Sequence, residues 1–409
     1  MPAQDYFECT LTLDNSAQAE LTTEDRRTYT GKPSLSGDTL SILETQRSNL
    51  KDYGRTLFDA LFTDQLLTGY RNALNDARGR KLRLRFEIMD TAPSANELSQ
   101  LNWELLYDAK AAKGGDFLSR SSDIVFSRQR NTAGLLAGLG TADTLKLLVV
   151  FSCPNNLGDS YESLDRAELT AKFKETLSPL AGRIAPTFLP QATRNDLRDA
   201  VRDGDFDGVQ FYGHGYRDKN TNETGLILEK PDGSADFVEE GTCLDLFKGK
   251  ELRLLCLMAC YSGSMKSDED PFSGLALKLV RQNHQAVIAM KRAIKITSAD
   301  AFLKYFYKYL KAFDGTVDAA VGEAWLQLSI NGDDEWSIPT LYMRLTDGRL
   351  WTERQSLTAL AATNATGAIK DGIVNYFRKG KVVPIIGPGI LKDVLPSAAE
   401  IGQYLANKY

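Results

Sequence analysis

The sequence predicts an α/β fold, a mostly parallel sheet with helices on both faces, preceded by a smaller α+β lobe. Three observations carry that expectation. From Leu145 onward, short apolar runs alternate with amphipathic stretches, the order of repeated β-α units. Runs such as LKLLVVFS at Leu145–Ser152 are continuously apolar, as strands covered on both faces require. Before Leu145 the pattern is different. Strands there alternate, as in Leu82, Leu84, Phe86 and Ile88 against Arg83, Arg85 and Glu87, which predicts one buried and one solvated face.

Taken in order, Phe7, Cys9, Leu11 and Leu13 alternate and predict a first strand. A polar stretch then runs to about Asp52. Phe58, Phe62, Leu66 and Tyr70 recur every four residues, with Leu61 in support, and predict one helix over Arg55–Leu74. LNWELLYD (Leu101–Asp108) is a short apolar segment, and DIVFSR (Asp123–Arg128) is another strand. RNTAGLLAGLGTAD (Arg130–Asp143) is rich in Gly and Ala and reads as a linker.

Beyond it, Leu169, Phe173 and Leu177 mark a helix over Glu162–Leu177, and Arg183–Leu189 is a strand. Thr193 caps a helix with Asp196 three residues on, and Leu197 and Val201 form its apolar face. Asp207–Tyr212 is a strand ending at Gly213-His214-Gly215. Gly225–Val238 is a hairpin turning at Pro231-Asp232-Gly233. A short helix near Glu239–Phe247 precedes a buried strand, Leu252–Met258, that ends at Ala259-Cys260. Then come a helix (Ser273–Arg281), a strand (Ala286–Met290), helices over Thr297–Phe313 and Thr316–Ser329, and a last strand, Pro339–Leu345. The expected organisation is an N-terminal lobe (1–135), a catalytic domain (144–350), a linker and helix (351–379) and a further segment (380–409).

Composition excludes several classes. The chain has 49 basic and 54 acidic residues, net charge -5, which gives no footprint for nucleic acid or anionic lipid. No apolar run is long enough to span a bilayer, and the first residues lack a basic region followed by an apolar one. The five cysteines are scattered and odd in number, which suits a reducing cytoplasm and gives no disulfide framework. With two histidines in the chain, a zinc site is not expected.

The chemistry concentrates between Val209 and Gly263. His214 and Cys260 each follow an apolar strand, and neighbouring parallel strands present their C-terminal ends on one edge, where reactions in such folds occur. A hairpin, a short helix and one strand separate them, a plausible crossover between adjacent strands. A free thiol is mostly protonated near neutrality. An adjacent imidazole takes its proton and later protonates a leaving amine. The backbone N–H groups of Gly215 and Cys260 are candidates for an oxyanion hole, and Gly263 would ease the turn after the nucleophile. Spacing alone leaves another reading open. A Cys ending a buried strand also fits a small core residue, and a His between glycines also fits a turn. His284, after a helix, is expected to be exposed and stabilised by the helix dipole.

FYGHG followed by MACYSG resembles the caspase-like cysteine peptidases of clan CD, and within them the CHAT domain, the separase-related branch common in bacterial signalling and defence proteins. LFDALF, LRLRFEI, LNWELLYD and DIVFSR are similar to the region before the catalytic sheet of that family. SADAFLKYFYKYL and AAVGEAWLQL are similar to its closing helices. The resemblance covers about residues 50–345. It implies a caspase-like sheet, His214 as base, Cys260 as nucleophile, and hydrolysis of a peptide bond through a thioester, without zinc or organic cofactor. It also implies a protein substrate and a sensor or partner that switches the enzyme on. Many relatives prefer a basic residue before the cut bond and hold it with an acidic residue. Asp159 and Asp300 are the candidates here. Where relatives carry a Trp-x-Val-x-Asp-like run, this chain has Met290-Lys291-Arg292-Ala293-Ile294, and Lys and Arg there would disfavour a basic residue.

VVPIIGPGI near the C-terminus resembles the opening of a SIR2-like NAD-binding domain, with Gly387 and Gly389 at the turn. It implies NAD only for a domain continuing past Tyr409 in a larger parent protein. Two other readings of the chain are a catalytically silent caspase-like adaptor and a regulatory arm for a C-terminal NAD-consuming effector.

Overall fold

The structure is a computed structural model. It describes residues 6–14, 18–89, 92, 95–111, 114–129, 144–159, 161–217, 224–260, 273–282 and 284–351, with Cys260 described by its backbone. The chain divides into units 1–353 and 354–409. The second unit lies outside the described residues, and with it the helix expected within 351–379 and the SIR2-like segment. The expected linker at 130–143, where the lobe and the catalytic domain were to divide, also lies outside them.

The N-terminal part comprises β1 (Tyr6–Leu13), β2 (Ala19–Thr23), β3 (Thr28–Gly31), α1 (Gly37–Thr45), α2 (Leu50–Leu61), α3 (Asp64–Asp76), β4 (Lys81–Ile88), α4 (Ala95–Gln100), β5 (Tyr107–Asp108), β6 (Asp116–Phe117) and β7 (Ile124–Gln129). Next come β8 (Leu145–Phe151), α5 (Arg166–Leu177), β9 (Ile184–Phe188), α6 (Arg194–Asp203), β10 (Gly208–Arg217), β11 (Thr224–Glu229), β12 (Ala235–Glu239) and α7 (Glu240–Phe247). The series closes with β13 (Leu254–Cys260), α8 (Ser273–Arg281), β14 (Ala286–Met290), α9 (Ile296–Ala312), α10 (Val317–Ile330) and β15 (Pro339–Met343).

The described strands form one large sheet in the order β12-β11-β10-β13-β14-β15-β7-β4-β1-β2-β3, with β8 against β10 and β9 against β8, and a separate β5–β6 pair. The β8, β9, β10, β13 and β14 block is parallel, as is the β1, β4 and β7 block. Antiparallel strands sit at both ends, and β15 runs antiparallel to β14 between the blocks. The join between the two blocks is narrow, a single Tyr342↔Arg128 pairing of β15 with β7.

Helices cover both faces. Tyr212, Cys256 and Met258 belong to a core built with α5, α9 and α10, whereas Val209, Phe211, Leu255 and Leu257 belong to a core built with α6, α7 and α8. Successive residues of β10 and β13 thus enter opposite cores, which is why these strands read as continuous apolar runs. Among the described residues no helix is long and apolar enough to cross a membrane.

Four local expectations change. The stretch before Asp52 contains β2, β3 and α1; Ala19, Leu21 and Thr23 alternate inward, but small and hydroxylated residues mute the pattern. The expected single helix over Arg55–Leu74 is two, α2 and α3, broken at Phe62 and Thr63 with Asp64 at φ 49. Phe58, Phe62 and Tyr70 do form one aromatic cluster, at centroid distances of 4.6 to 5.7 Å, but across a turn. The charged face of β4 is buried rather than solvated. Arg83 lies between Asp318 at 2.7 Å and Glu8 at 3.0 Å, over the Tyr6 ring, and Arg85 pairs with Glu8. α10 supplies Asp318, and an element more than two hundred residues away leaves no mark on the local alternation. Finally, β10 runs through His214 to Arg217 instead of ending at Tyr212.

Candidate functional site

β10 changes partners along its length. Gly208–Tyr212 pair with parallel β8, whereas His214–Arg217 pair with antiparallel β11. On its other side β10 pairs with parallel β13 from Gly208 to His214, and that register sets His214 directly opposite Cys260, the last residue of β13. The candidate base therefore sits where β8 leaves the sheet and the strand order turns, the kind of place where open α/β sheets form crevices.

The sequence builds this departure locally. Ser152 donates from its backbone N–H to Tyr212 O at 3.0 Å and from Oγ to Ile227 O at 2.8 Å, holding the end of β8 against both β10 and β11. Gly213 makes room for it. A Cβ there would lie 2.9 Å from Ser152 Cβ and 2.9 Å from the Phe211 ring.

The chain then loops back over His214. The imidazole is 1% exposed. Its Nε2 lies 2.9 Å from the carbonyl oxygen of Glu162, and the Tyr161 ring meets it edge-on at 5.4 Å. A carbonyl oxygen accepts only, so Nε2 carries the hydrogen. In the neutral ring Nδ1 is then the nitrogen able to accept a proton. The same carbonyl also supports the ring after it has gained a proton.

The β11–β12 hairpin pins this loop. Cys153 N donates to Glu229 Oε1 at 2.7 Å, Asn155 N to Gly233 O at 3.0 Å, and Ala235 N to Asn156 Oδ1 at 2.7 Å, while Arg166 pairs with the buried Glu229 carboxylate. Gly233 has φ 81, the left-handed turn conformation that glycine adopts without strain. α5 begins at Arg166 rather than Glu162. Asp165 is its N-cap and accepts from Glu168 N at 2.8 Å, an Asp-x-x-Glu signal present in the sequence. Tyr161 and the Glu162 carbonyl, missed from sequence, are thereby freed from the helix. A backbone carbonyl leaves no signal in residue identity.

The four described thiols lie outside this arrangement. Burial pushes Cys9 and Cys243 up to about 12, Cys153 up to about 11, and Cys256 further still. Each is held as a thiol at neutral pH and is a poor nucleophile.

The other candidates fall as follows. Gly215 is buried in the strand and pairs with Leu226 of β11. Asp159 is exposed in the loop between β8 and α5. Asp300, on α9, accepts from Tyr212 Oη at 2.6 Å and lies 3.8 Å from Lys172. His284 is not exposed at a helix end. It is fully buried in the turn between α8 and β14, where Nδ1 accepts from Leu252 N at 3.3 Å and burial pushes its imidazole down to about 4. α8 ends at Arg281, and the chain dives inward to start β14, taking the side chain with it.

A buried ionic cluster holds the segment after β14. Glu104, with no solvent exposure, accepts from Arg128 at 2.6 and 2.8 Å and from Lys291 Nζ at 2.5 Å; Lys291 also reaches Asn102 at 2.8 Å. Burial opposes ionisation of Glu104, but Arg128 and Lys291 together hold its carboxyl below the usual range.

Residues 51–360 match the CHAT domain family. No curated protein matches the chain. Among solved structures, the complex of the pro- and mature domains of Porphyromonas gingivalis RgpB is similar over 75% of this chain and 78% of its own, at 11% identity and TM-score 0.44. The Arg-specific cysteine proteinase gingipain R is similar over 74% and 75%, at 12% identity and TM-score 0.41. The Saccharomyces cerevisiae separase–securin complex is similar over 76% of this chain and 19% of that one, at 10% identity and TM-score 0.36.

Proposed function

The chain belongs to the CHAT domain family, and we propose that it is a cysteine endopeptidase whose nucleophile is Cys260 and whose base is His214. The observation that carries this is the β10–β13 register, in which His214 stands opposite Cys260 at the C-terminal edge of the sheet. Two further features support it. The Glu162 carbonyl selects the tautomer in which Nδ1 takes a proton, and the other four cysteines are held as inert thiols.

In this reading His214 accepts the Cys260 proton as sulfur attacks the scissile carbonyl. The backbone N–H groups of Gly215 and Cys260 stabilise the oxyanion. His214 then protonates the leaving amine, and water, deprotonated by the same imidazole, hydrolyses the thioester. No metal or organic cofactor takes part. Asp159, in the loop that covers His214, and Asp300, bound to Tyr212 on the same strand, are secondary candidates for substrate contact. The cellular setting we favour is cytoplasmic, in a bacterial defence or signalling system in which a sensor or partner switches the peptidase on.

The test is a proteome-scale cleavage profile of the wild type against Cys260→Ala. Cleavages present with the wild type and lost in the variant are expected. A Cys260→Ala protein that makes the same cuts would sink the proposal.

A further inference from the structure

Beside the same sheet edge lies a cavity of about 470 Å³, within the size range of ligand sites. One wall comes from the N-terminal part and mixes apolar groups, chiefly Leu40, Leu43, Leu50 and Tyr53, with Glu44, Arg47 and Glu97. The facing wall comes from the sheet edge and is cationic: Arg217, three residues past His214 on β10, and Lys291 and Arg292 just after β14. The β13–β14 register pairs Leu255 with Val287 and Leu257 with Ala289. β14 ends at Met290, so Arg292 lies two residues beyond it, at the edge where β13 ends with Cys260 opposite His214. The base, the thiol position and Arg292 thus lie toward the same C-terminal edge of the sheet.

The charges in the cavity are not equivalent. Lys291 is turned into the buried cluster, where it shares Glu104 with Arg128, and Arg47 pairs with Glu44 within the lining. Glu97 is exposed, where solvent screens it. Arg292 is half-buried, and its side chain makes no ion pair or hydrogen bond with the described residues. A partly desolvated, unpaired guanidinium binds a carboxylate well and repels an ammonium.

We propose that this cavity receives an acidic side chain of the substrate peptide, next to the cut bond, with its carboxylate on Arg292 and Arg217. The inference rests on the peptidase reading and gives it a substrate class opposite in charge to the basic residue that the family resemblance implies.

Peptide electrophiles identical except for Glu, Asp, Gln or Lys beside the warhead test it, with the rate of Cys260 modification on the full chain followed by intact-mass spectrometry. The acidic probes are expected to react about tenfold or more faster than Gln, the size of one charge-assisted hydrogen bond, with Lys slowest. Arg292→Glu is expected to reverse the order in favour of Lys, and Arg292→Gln and Arg217→Gln to flatten it, with thermal unfolding checking that each variant is folded. A wild-type preference for Lys, or an acidic preference unchanged in folded Arg292→Glu, overturns the inference. If no probe modifies Cys260, the peptidase reading itself fails and the inference falls with it.

Discussion

The two histidines occupy opposite edges of one sheet and are handled in opposite ways. Both are buried and both bond to backbone. His214, at the C-terminal edge, donates through Nε2 to the Glu162 carbonyl, a partner that suits the ring whether neutral or protonated. His284, at the N-terminal edge, accepts from the Leu252 N–H, a partner that suits it only when neutral. Its buried Nε2 meets no partner among the described residues, and burial pushes it down to about 4. Burial alone therefore says little about whether an imidazole can cycle a proton. The polarity of the backbone group it meets decides.

The largest effect that would break this comparison is on turnover. His214→Ala is expected to lower peptide cleavage by about three orders of magnitude, the usual worth of a general acid–base group. His284→Gln, which keeps an acceptor for Leu252 N–H, is expected to cleave at near the wild-type rate. Initial rates on one peptide settle the matter, and equal losses in two folded variants would end the distinction.

Next in size is the pairing of buried charge. Glu104→Ala leaves Arg128 and Lys291 buried without their carboxylate, and a loss of about 3–5 kcal/mol in urea-unfolding free energy is expected. A loss under about 1 kcal/mol would mean that water reaches the cluster.

The smallest effect concerns pH. The folded-state pKa of His284 is depressed, from 6.5 to about 4, so the unfolded chain binds the extra proton between those values. Its contribution to stability is complete above about 6.5 and is lost as pH falls toward about 4, at up to about 1.4 kcal/mol per pH unit. Urea unfolding at a series of pH values is expected to show a shallower acid decline in His284→Gln than in the wild type. Parallel declines would remove His284 as the cause.

Much of the fold was legible because periodicity reports how each element is buried. The continuous runs at Leu145–Ser152 and Leu252–Met258 did mark two-faced strands, observed at Leu145–Phe151 and Leu254–Cys260, the Thr193 cap did start α6 with Asp196 N donating to it at 3.1 Å, and the Pro231–Gly233 turn did join β11 to β12. The misreadings share a cause. Arg83 and Arg85 read as a solvated face because the cover over them comes from α10 and from Glu8, distant in sequence. His284 read as exposed because a helix end predicts its own neighbours and not the strand beneath it.

By itself the sequence determined the order and type of most elements and the scarcity that singles out His214 and Cys260. Side-chain chemistry and local period are properties of neighbouring residues, so they can be read along the chain. The tertiary structure decided the rest. It set the β10–β13 register, brought the Glu162 carbonyl to His214 by pinning a loop to a hairpin, made Gly213 the point where Ser152 passes, and set Arg292 in a cavity lined from another part of the fold. Each depends on which distant surfaces meet, and backbone carbonyls, cavities and covered charges leave no trace in the residues that form them.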